Sequence, residues 1–213
     1  MPLTITRRWK LSEQAYFKCN GKLKNGEWRI FQIFHSPFSI LYSQFIILHS
    51  QFSIPMQVIM YTDGASRGNP GPGGYGTILM YNEKRKELAQ GFRLTTNNRM
   101  ELMAVIEGLK ALKKPGLNVT IFSDSQYVVK AIKEGWLKNW LATNFAKGKK
   151  NKDLWLQYHA LAKDHHVEMK WVKGHADNPF NNRCDQLATA AADGGNLLPD
   201  TGYEAELGNT SKI

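Results

Sequence analysis

The chain has 213 residues and a net charge of +10 at neutral pH, and its apolar (42%) and charged (22%) fractions are those of a globular protein. Its two cysteines, Cys19 and Cys184, exclude a disulfide framework and favour a reducing cytoplasm. No Cys-x-x-Cys or His-Glu-x-x-His pattern supports a zinc site. The basic balance favours nucleic acid or another anionic surface as the partner.

Residues 1–55 form an N-terminal extension whose composition differs from that of the remaining chain. They hold seven Lys/Arg against two Asp/Glu, and no charged residue occurs from Phe31 to Thr62. A near-repeat of seven residues, SPFSILY, SQFIILH and SQFSI, fills positions 36–54. Three interpretations stay open: a mis-assigned start ahead of a natural beginning at Met56, a disordered arm, and a membrane anchor. The recurring Ser, Gln and His disfavour the anchor, because each is costly in hydrocarbon.

Three strand candidates follow, over Gln57–Thr62, Gly74–Tyr81 and Glu87–Leu94. The first strand ends on Asp63, and a segment rich in Gly, Asn and Pro separates it from the second. Because tight turns join them, the three strands are expected to be antiparallel. A lone Asp at the end of a strand also has an ordinary interpretation, since Asp often accepts hydrogen bonds from turn amides.

A helix is predicted over Asn97–Lys113, with Thr95 and Thr96 as N-cap candidates and a Pro-Gly pair after its end. The short β-branched run Asn118–Phe122 is typical of a buried central strand. Since a helical crossover precedes this fourth strand, it is expected to lie parallel to the first.

The remaining pattern predicts helices over Asp124–Glu134, Asn151–Lys163 and Pro179–Ala192, with a fifth strand at Val167–Val172. Residues 193–213 are polar and are predicted to form a loose tail. The whole describes an α/β fold: a mixed five-stranded sheet with helices on both faces, over residues 56–192.

Four acids fall at comparable joints of these elements: Asp63, Glu101, Asp124 and Asp185. Asp63 and Asp124 follow adjacent parallel strands, where open α/β sheets place their sites. Acids that lie close together repel one another and need cations, and carboxylate oxygens suit Mg²⁺ or Mn²⁺. Two such ions, about 3.5–4 Å apart, stabilise the attacking and leaving oxygens of a phosphodiester displacement. Taken singly, Glu101 and Asp124 also fit a helix-dipole role, and Asp185 fits a surface charge.

Four motifs carry these acids: TDGASRGNPGPGGYG (62–76), TTNNRMELMA (95–104), FSDSQYV (122–128) and WVKGHADNPFNNRCDQLA (171–188). In order and spacing they resemble the bacterial-type members of the type-1 ribonuclease H family, over about residues 56–192. The resemblance implies a ribonuclease H-like fold and an endonuclease that cuts the RNA strand of RNA–DNA hybrids. It also implies two Mg²⁺ ions as cofactors, with 5′-phosphate and 3′-hydroxyl ends as products.

The resemblance also assigns roles to the acids and to one histidine. By motif position, the metal-binding carboxylates match Asp63, Glu101, Asp124 and Asp185. His175 matches the mobile-loop histidine credited with proton transfer and product release. A lone His is more often structural or exposed, but four nearby acids would raise its pKa toward a catalytic range.

Further matches concern the substrate. The residues that match contacts to the RNA strand are Asn69, Asn98 and Gln126. The residues that match a pocket for a DNA phosphate are Thr96, Asn97 and Asn151. The family's pocket usually also holds an Arg seven positions before the catalytic Glu. This chain has Leu94 at that position, with Arg93 beside it.

A basic segment over residues 130–152 carries seven lysines against Glu134, with tryptophans between them. Lys pairs with phosphates and Trp packs on sugars or bases, and the family has a basic substrate-binding protrusion here. The substrate-binding candidates of this segment are Trp136, Lys138, Trp140, Lys147, Lys149 and Lys150. The ordinary alternative is a solvated loop with core tryptophans.

The leading hypothesis is a monomeric, cytoplasmic, metal-dependent endonuclease acting on RNA–DNA hybrids, with no membrane involvement expected. A non-catalytic hybrid-binding protein is the second hypothesis, although the intact acids count against it. Cleavage of double-stranded DNA would point instead to a resolvase or transposase relative of the same fold. An additional hybrid-binding domain in residues 1–55 lacks a supporting basic-aromatic pattern.

Overall fold

A computed structural model describes residues 8–10, 16–22, 28–32, 57–174 and 177–210. The chain divides into two units, Met1–Ile54 and Pro55–Ile213. The described part of the first unit is an antiparallel sheet of β1 (Arg8–Lys10), β2 (Tyr16–Lys22) and β3 (Trp28–Gln32), in that order. The near-repeat at 36–54 lies outside the described residues.

The second unit is built on a sheet of six strands in the order β8-β7-β4-β5-β6-β9. The strands are β4 (Gln57–Ser66), β5 (Gly71–Tyr81), β6 (Lys84–Thr95), β7 (Asn118–Ser123), β8 (His166–Trp171) and β9 (Leu197–Leu198). The predicted antiparallel pairing of β4, β5 and β6 and the parallel pairing of β7 with β4 are both confirmed. The prediction of five strands is one short, because the two residues of β9 are too few to show a period.

Six helices accompany the sheet in the part of the chain that the structure describes. They are α1 (Asn97–Lys110), α2 (Gln126–Lys133), α3 (Trp136–Ala142), α4 (Lys152–Ala162), α5 (Pro179–Ala192) and α6 (Thr201–Thr210). Helix α1 ends at Lys110 rather than at the predicted Lys113, and Ala111 is its C-cap. Among the described residues, no helix is both long and apolar enough to cross a bilayer.

Strand β4 is longer than predicted, so Asp63 lies within it rather than at its end. The pairing of β4 with β5 continues through Asp63 with Gly76 and on to Ser66 with Gly73. The glycines that suggest a loop therefore belong largely to strands. These glycines allow close packing of helices on the sheet. A Cβ on Gly64 would collide with the backbone of Glu101, and one on Gly76 with the backbone of Cys184.

These two contacts place a helix on each face of the sheet. Helix α1 packs on one face and contributes a buried row that includes Met100, Leu102, Val105, Ile106 and Leu109. Helix α5 packs on the other face, against β4, β5 and β6. Because glycine lets both helices approach, Glu101 on α1 and Asp185 on α5 come close to β4.

The C-terminal segment is bound to the domain, contrary to the predicted loose tail. Asp200 is 2% exposed, and its carboxylate accepts hydrogen bonds from Arg99 Nε and Nη2 at 2.7 and 2.8 Å and from Thr95 Oγ1 at 2.7 Å. Arg99 is itself 1% exposed and donates two further bonds to Asp153, at 2.9 and 2.7 Å. The polar composition of the segment conceals this, because Asp200 meets its partner 101 positions earlier.

Candidate active site

Asp63 and Asp124 lie side by side at the same level of the sheet. The last pair between β4 and β7 joins Thr62 to Ser123, and each acid is the next residue along its strand direction. Asp63 is 8% exposed, and its Oδ1 accepts a hydrogen bond from the N–H of Gly64 at 2.7 Å. Burial raises the pKa of Asp63 to about 8, with added repulsion from Asp124 and Asp185.

Glu101 enters the same cluster from the second turn of α1. Burial raises its pKa to about 8, and the charges of Asp63 and Asp124 add to the effect. Its Oε1 accepts a hydrogen bond from Nδ2 of Asn97 at 2.7 Å, while the backbone N–H of Asn97 donates to Oδ1 of Asn69 at 3.2 Å. Asn97, matched by motif to a phosphate pocket, thus directs its side chain to the catalytic-site candidate Glu101.

Asp124 is held from two directions. Its Oδ2 accepts a hydrogen bond from Nδ2 of Asn181 on α5, and its backbone carbonyl accepts one from the indole of Trp171, both at 3.1 Å. Asp185 lies one turn after Asn181 on the same helix and is partly buried. Its charge contributes to the raised pKa of Asp63. Neither Asn181 nor Trp171 is a site residue by motif matching, although both lie within the fourth motif.

The donor set fits a divalent hard cation. All four acids offer carboxylate oxygens, and two of them have pKa values raised to about 8, so a cation would displace protons and relieve their repulsion. Within 57–174 and 177–210, no group of three His, Cys, Asp or Glu side chains forms a ready-made metal cage. An open cluster suits Mg²⁺, which keeps several waters and binds one or two carboxylates together with substrate phosphates.

His175 lies outside the described residues, but the chain on both sides of it is described. A Cβ on Gly174 would lie 2.6 Å from Oδ2 of Asp124, so the loop begins in contact with the acidic cluster. On the other side, Oδ1 of Asn178 accepts hydrogen bonds from the N–H groups of Phe180 and Asn181 at 3.1 Å each and caps helix α5. The proton-transfer role of His175 stays a prediction.

A groove of about 550 Å³ opens at the N-terminal end of α1. The sequence-predicted residues that line it are Asn69, Thr96, Asn98, Trp140, Lys147, Lys149, Lys150 and Asn151. Gln126, Trp136, Lys138 and Asn97 are not among its lining residues. Gln126 and Lys138 are exposed elsewhere on α2 and α3, and Trp136 packs on Trp140 with ring centroids 6.2 Å apart.

Besides Pro70 and Gly148, which lie next to predicted residues, four lining residues were missed by motif matching: Tyr127, Tyr203, Glu206 and Leu207. Tyr127 follows the predicted RNA contact Gln126, so its place in the third motif was an available signal. The other three lie on α6, which the polar pattern of the C-terminal segment did not indicate.

The structure also shows that neither residue at or beside the position of the family's arginine reaches the groove. Neither Leu94 nor Arg93 is among the groove-lining residues. The Arg93 guanidinium instead donates to the carboxylate of Glu204 at 2.9 and 2.6 Å. No guanidinium from these two positions of β6 therefore serves the groove.

Comparison with known proteins shows which family this chain resembles. A family model described as RNase H matches residues 55–193. A ribonuclease H of Desulforamulus reducens is 55% identical over 148 residues, covering 68% of this chain and 92% of the relative. One of Lachnoclostridium phytofermentans is 55% identical over 159 residues, covering 70% and 100%. The crystal structure of LC9-RNase H1, a type 1 RNase H with the type 2 active-site motif, matches with a TM-score of 0.61 and 31% identity, covering 71% of this chain and 80% of that one.

Proposed function

The chain belongs to the ribonuclease H family, and on that premise we propose how it hydrolyses the RNA strand of RNA–DNA hybrids. The observation that carries the proposal is the acidic cluster on β4, α1, β7 and α5. Two of its carboxyl groups, on Asp63 and Glu101, have pKa values near 8 because burial and repulsion penalise their charge. Such a cluster favours cation binding and is poorly suited to a purely structural role.

Asp63, Glu101, Asp124 and Asp185 would hold two divalent ions, Mg²⁺ with Mn²⁺ as a substitute. When bound, the ions supply an activated attacking water and charge neutralisation at the 3′-oxygen leaving group, which yields 5′-phosphate and 3′-hydroxyl ends. Asp63 would be the central ligand, because it lies beside Asp124 and within electrostatic reach of the other two acids. His175 transfers a proton and assists product release.

The chain's polar side chains orient the hybrid. Asn69, Asn98 and Gln126 contact the RNA strand, where 2′-hydroxyl groups distinguish RNA from DNA. In the groove beside the start of α1, the part lined by Thr96 and Asn151 takes the DNA strand, with Lys147, Lys149 and Lys150 contributing charge. We assign the catalytic motifs to residues 56–192, preceded by an extension over 1–55, while the polar C-terminal segment packs on the same unit through β9 and Asp200. The enzyme works as a cytoplasmic monomer.

The test uses a hybrid labelled on either strand and incubated with Mg²⁺. The full chain is expected to cut only the RNA strand and to leave 5′-phosphate ends, whereas Asp63→Asn is expected to be inactive. Asp164→Asn provides the matched control, because Asp164 is an exposed acid on the turn after α4. Hybrid binding without cleavage by the wild type would overturn the proposal, and cleavage of duplex DNA would reassign the substrate.

A further inference from the structure

The groove beside α1 lacks the guanidinium that Leu94 replaces, so other groups must recognise a phosphate there. Its charged residues include three lysines on the segment before α4, all of them exposed. Exposed lysines attract phosphate but do not fix its position, because the side chain is flexible and the ammonium is a point charge. A precisely placed donor has to come from a more rigid part of the groove.

The hydroxyl of Tyr127 is such a group. It accepts a hydrogen bond from Nε1 of Trp155 at 2.7 Å and another from Nδ2 of Asn151 at 3.1 Å. An indole N–H and an amide NH₂ are donors only, and a phenol oxygen carries one proton besides its acceptor positions. Since both partners donate, the hydroxyl proton of Tyr127 is left to point away from them.

The two partners also hold the hydroxyl in place. Trp155 is fully buried, and Asn151 is 7% exposed with a left-handed backbone (φ 61°) at the start of α4. The backbone N–H of Trp155 donates to the backbone carbonyl of Asn151 at 3.0 Å, which joins the two partners directly. The Tyr127 ring lies 5.6 Å from Trp155 and 6.5 Å from Trp140 between centroids. The donor is therefore preorganised by packing.

Tyr127 and Asn151 line the groove, as does Thr96, whose side chain makes no capping bond to α1. Burial raises the pKa of Tyr127, so the hydroxyl keeps its proton at neutral pH. The lining thus combines a neutral, fixed O–H donor with the Thr96 hydroxyl and a nearby lysine charge. Lys149 Nζ lies 5.9 Å from the centre of the Trp140 ring in the same lining.

We propose that the Tyr127 hydroxyl donates a hydrogen bond to a phosphate of the DNA strand in this groove and helps to compensate for the arginine missing at Leu94. The inference rests on the proposed function, because it takes the groove to hold the DNA strand of the hybrid. Tyr127 is a binding residue in this scheme and not a catalytic one. Its effect should therefore be on substrate affinity.

The first test compares Tyr127→Phe with wild type in cleavage of an RNA–DNA hybrid. Loss of a hydrogen bond to a charged group predicts an increase in KM of roughly tenfold, with kcat changed by less than about twofold. The salt dependence of binding should keep its slope, because the lost donor is neutral. Tyr158→Phe is the matched control: Tyr158 is buried, packs on Trp155 at 5.8 Å and is not among the groove-lining residues.

The second test separates phosphate recognition from general packing. The binding affinities of wild type and of Tyr127→Phe are measured for hybrids that carry a single neutral methylphosphonate at successive positions of the DNA strand. At the phosphate that Tyr127 contacts, the methylphosphonate should weaken binding by wild type several-fold more than binding by Tyr127→Phe. The variant already lacks the hydrogen bond to that phosphate. Equal penalties at every position, with RNA cleavage by wild type intact, would overturn this inference and leave the proposed function standing. Failure of wild type to cleave any hybrid would overturn the function first.

Discussion

The side-chain amide of Asn181 donates to Oδ2 of Asp124 across 3.1 Å, and Asn181 is 1% exposed. This bond joins α5 to the residue that follows β7 and orients one carboxylate of the acidic cluster. The other amide atom, Oδ1, is buried and has no hydrogen-bond partner within the described residues. The buried side-chain amide of Asn181 therefore serves to orient Asp124.

Replacing Asn181 by Ala is expected to lower the activity of the enzyme by roughly 10- to 100-fold at limiting Mg²⁺, the usual effect of removing a group that orients a metal ligand. Raising the Mg²⁺ concentration should recover part of the loss, because the four acids remain. Steady-state cleavage across a Mg²⁺ titration measures this. Gln186→Ala, an exposed change on the same helix, should behave as wild type; equal loss in both variants would contradict the orienting role.

The pH dependence of stability provides a second prediction. The pKa of Asp63 rises from 3.8 to about 8 on folding, so the folded state binds the proton more tightly than the unfolded state. The stabilising contribution is complete below about pH 4 and is lost as the pH rises toward 8. With a chelator present, Asp63→Asn should match wild type near pH 4 and be the more stable protein near pH 8. Urea unfolding at the two pH values measures the difference, and a constant offset would contradict the prediction.

Addition of Mg²⁺ should reverse that order. A cation bound by ionised Asp63 and its neighbours stabilises only the folded state, by RT ln(1 + [L]/Kd). At pH 8 the unfolding midpoint of wild type should therefore rise with Mg²⁺ concentration, whereas that of Asp63→Asn should respond weakly. Thermal unfolding in Mg²⁺, followed by chelator, tests this without any activity measurement. Identical responses would show that the stabilisation arises elsewhere.

The buried Arg99 network predicts a large effect of a change in the C-terminal segment. Asp200→Ala leaves a fully buried guanidinium with only Asp153 as its carboxylate partner, which should destabilise the domain by about 3–5 kcal/mol. Asp193→Ala is the matched control. Asp193 also pairs with an arginine, Arg67, but both side chains are about half exposed, and exposed pairs contribute little. Denaturant titration should show the first variant strongly shifted and the second nearly unchanged.

The lysines before α4 predict a change in salt dependence. The triple variant Lys147→Ala, Lys149→Ala and Lys150→Ala should bind hybrid more weakly at low salt, with the slope of log K against log salt reduced by up to about three. The control removes three exposed lysines outside the groove, namely Lys113, Lys114 and Lys163. Fluorescence anisotropy with a chelator measures both slopes. An unchanged slope in the first variant would exclude phosphate contacts by this segment.

The elements that carry the four acids are recognisable in the sequence, since each acid lies within or directly after a predicted strand or helix. The parallel pairing of β4 with β7 was predictable for the same reason, since a helical crossover separates them. What short-range patterns did not reveal was where β4 ends. The glycines near Asp63 predict a turn, yet Gly64 and Gly76 are strand residues. Because they lack side chains, α1 and α5 can pack closely against the sheet.

The C-terminal segment was unpredictable for a different reason. β9 has two residues, α6 has no clear apolar face, and the decisive contact of Asp200 is with Arg99 about half the chain away. The bond from the Asn97 amide to Glu101 is local by contrast, because the two residues lie four positions apart on α1. The motif match assigned Asn97 to a phosphate pocket and so did not indicate it.

Arg99 meets its carboxylates 54 and 101 positions further along the chain, on the helix that also carries Glu101. During translation, therefore, the charge of Arg99 cannot be fully paired until Asp200 has been synthesised and has left the ribosome. A nascent chain that ends between residues 185 and 199 contains all four acids yet lacks Asp200, one anchor of the helix that presents Glu101. Full anchoring of that helix thus waits for a residue made 101 positions after Arg99.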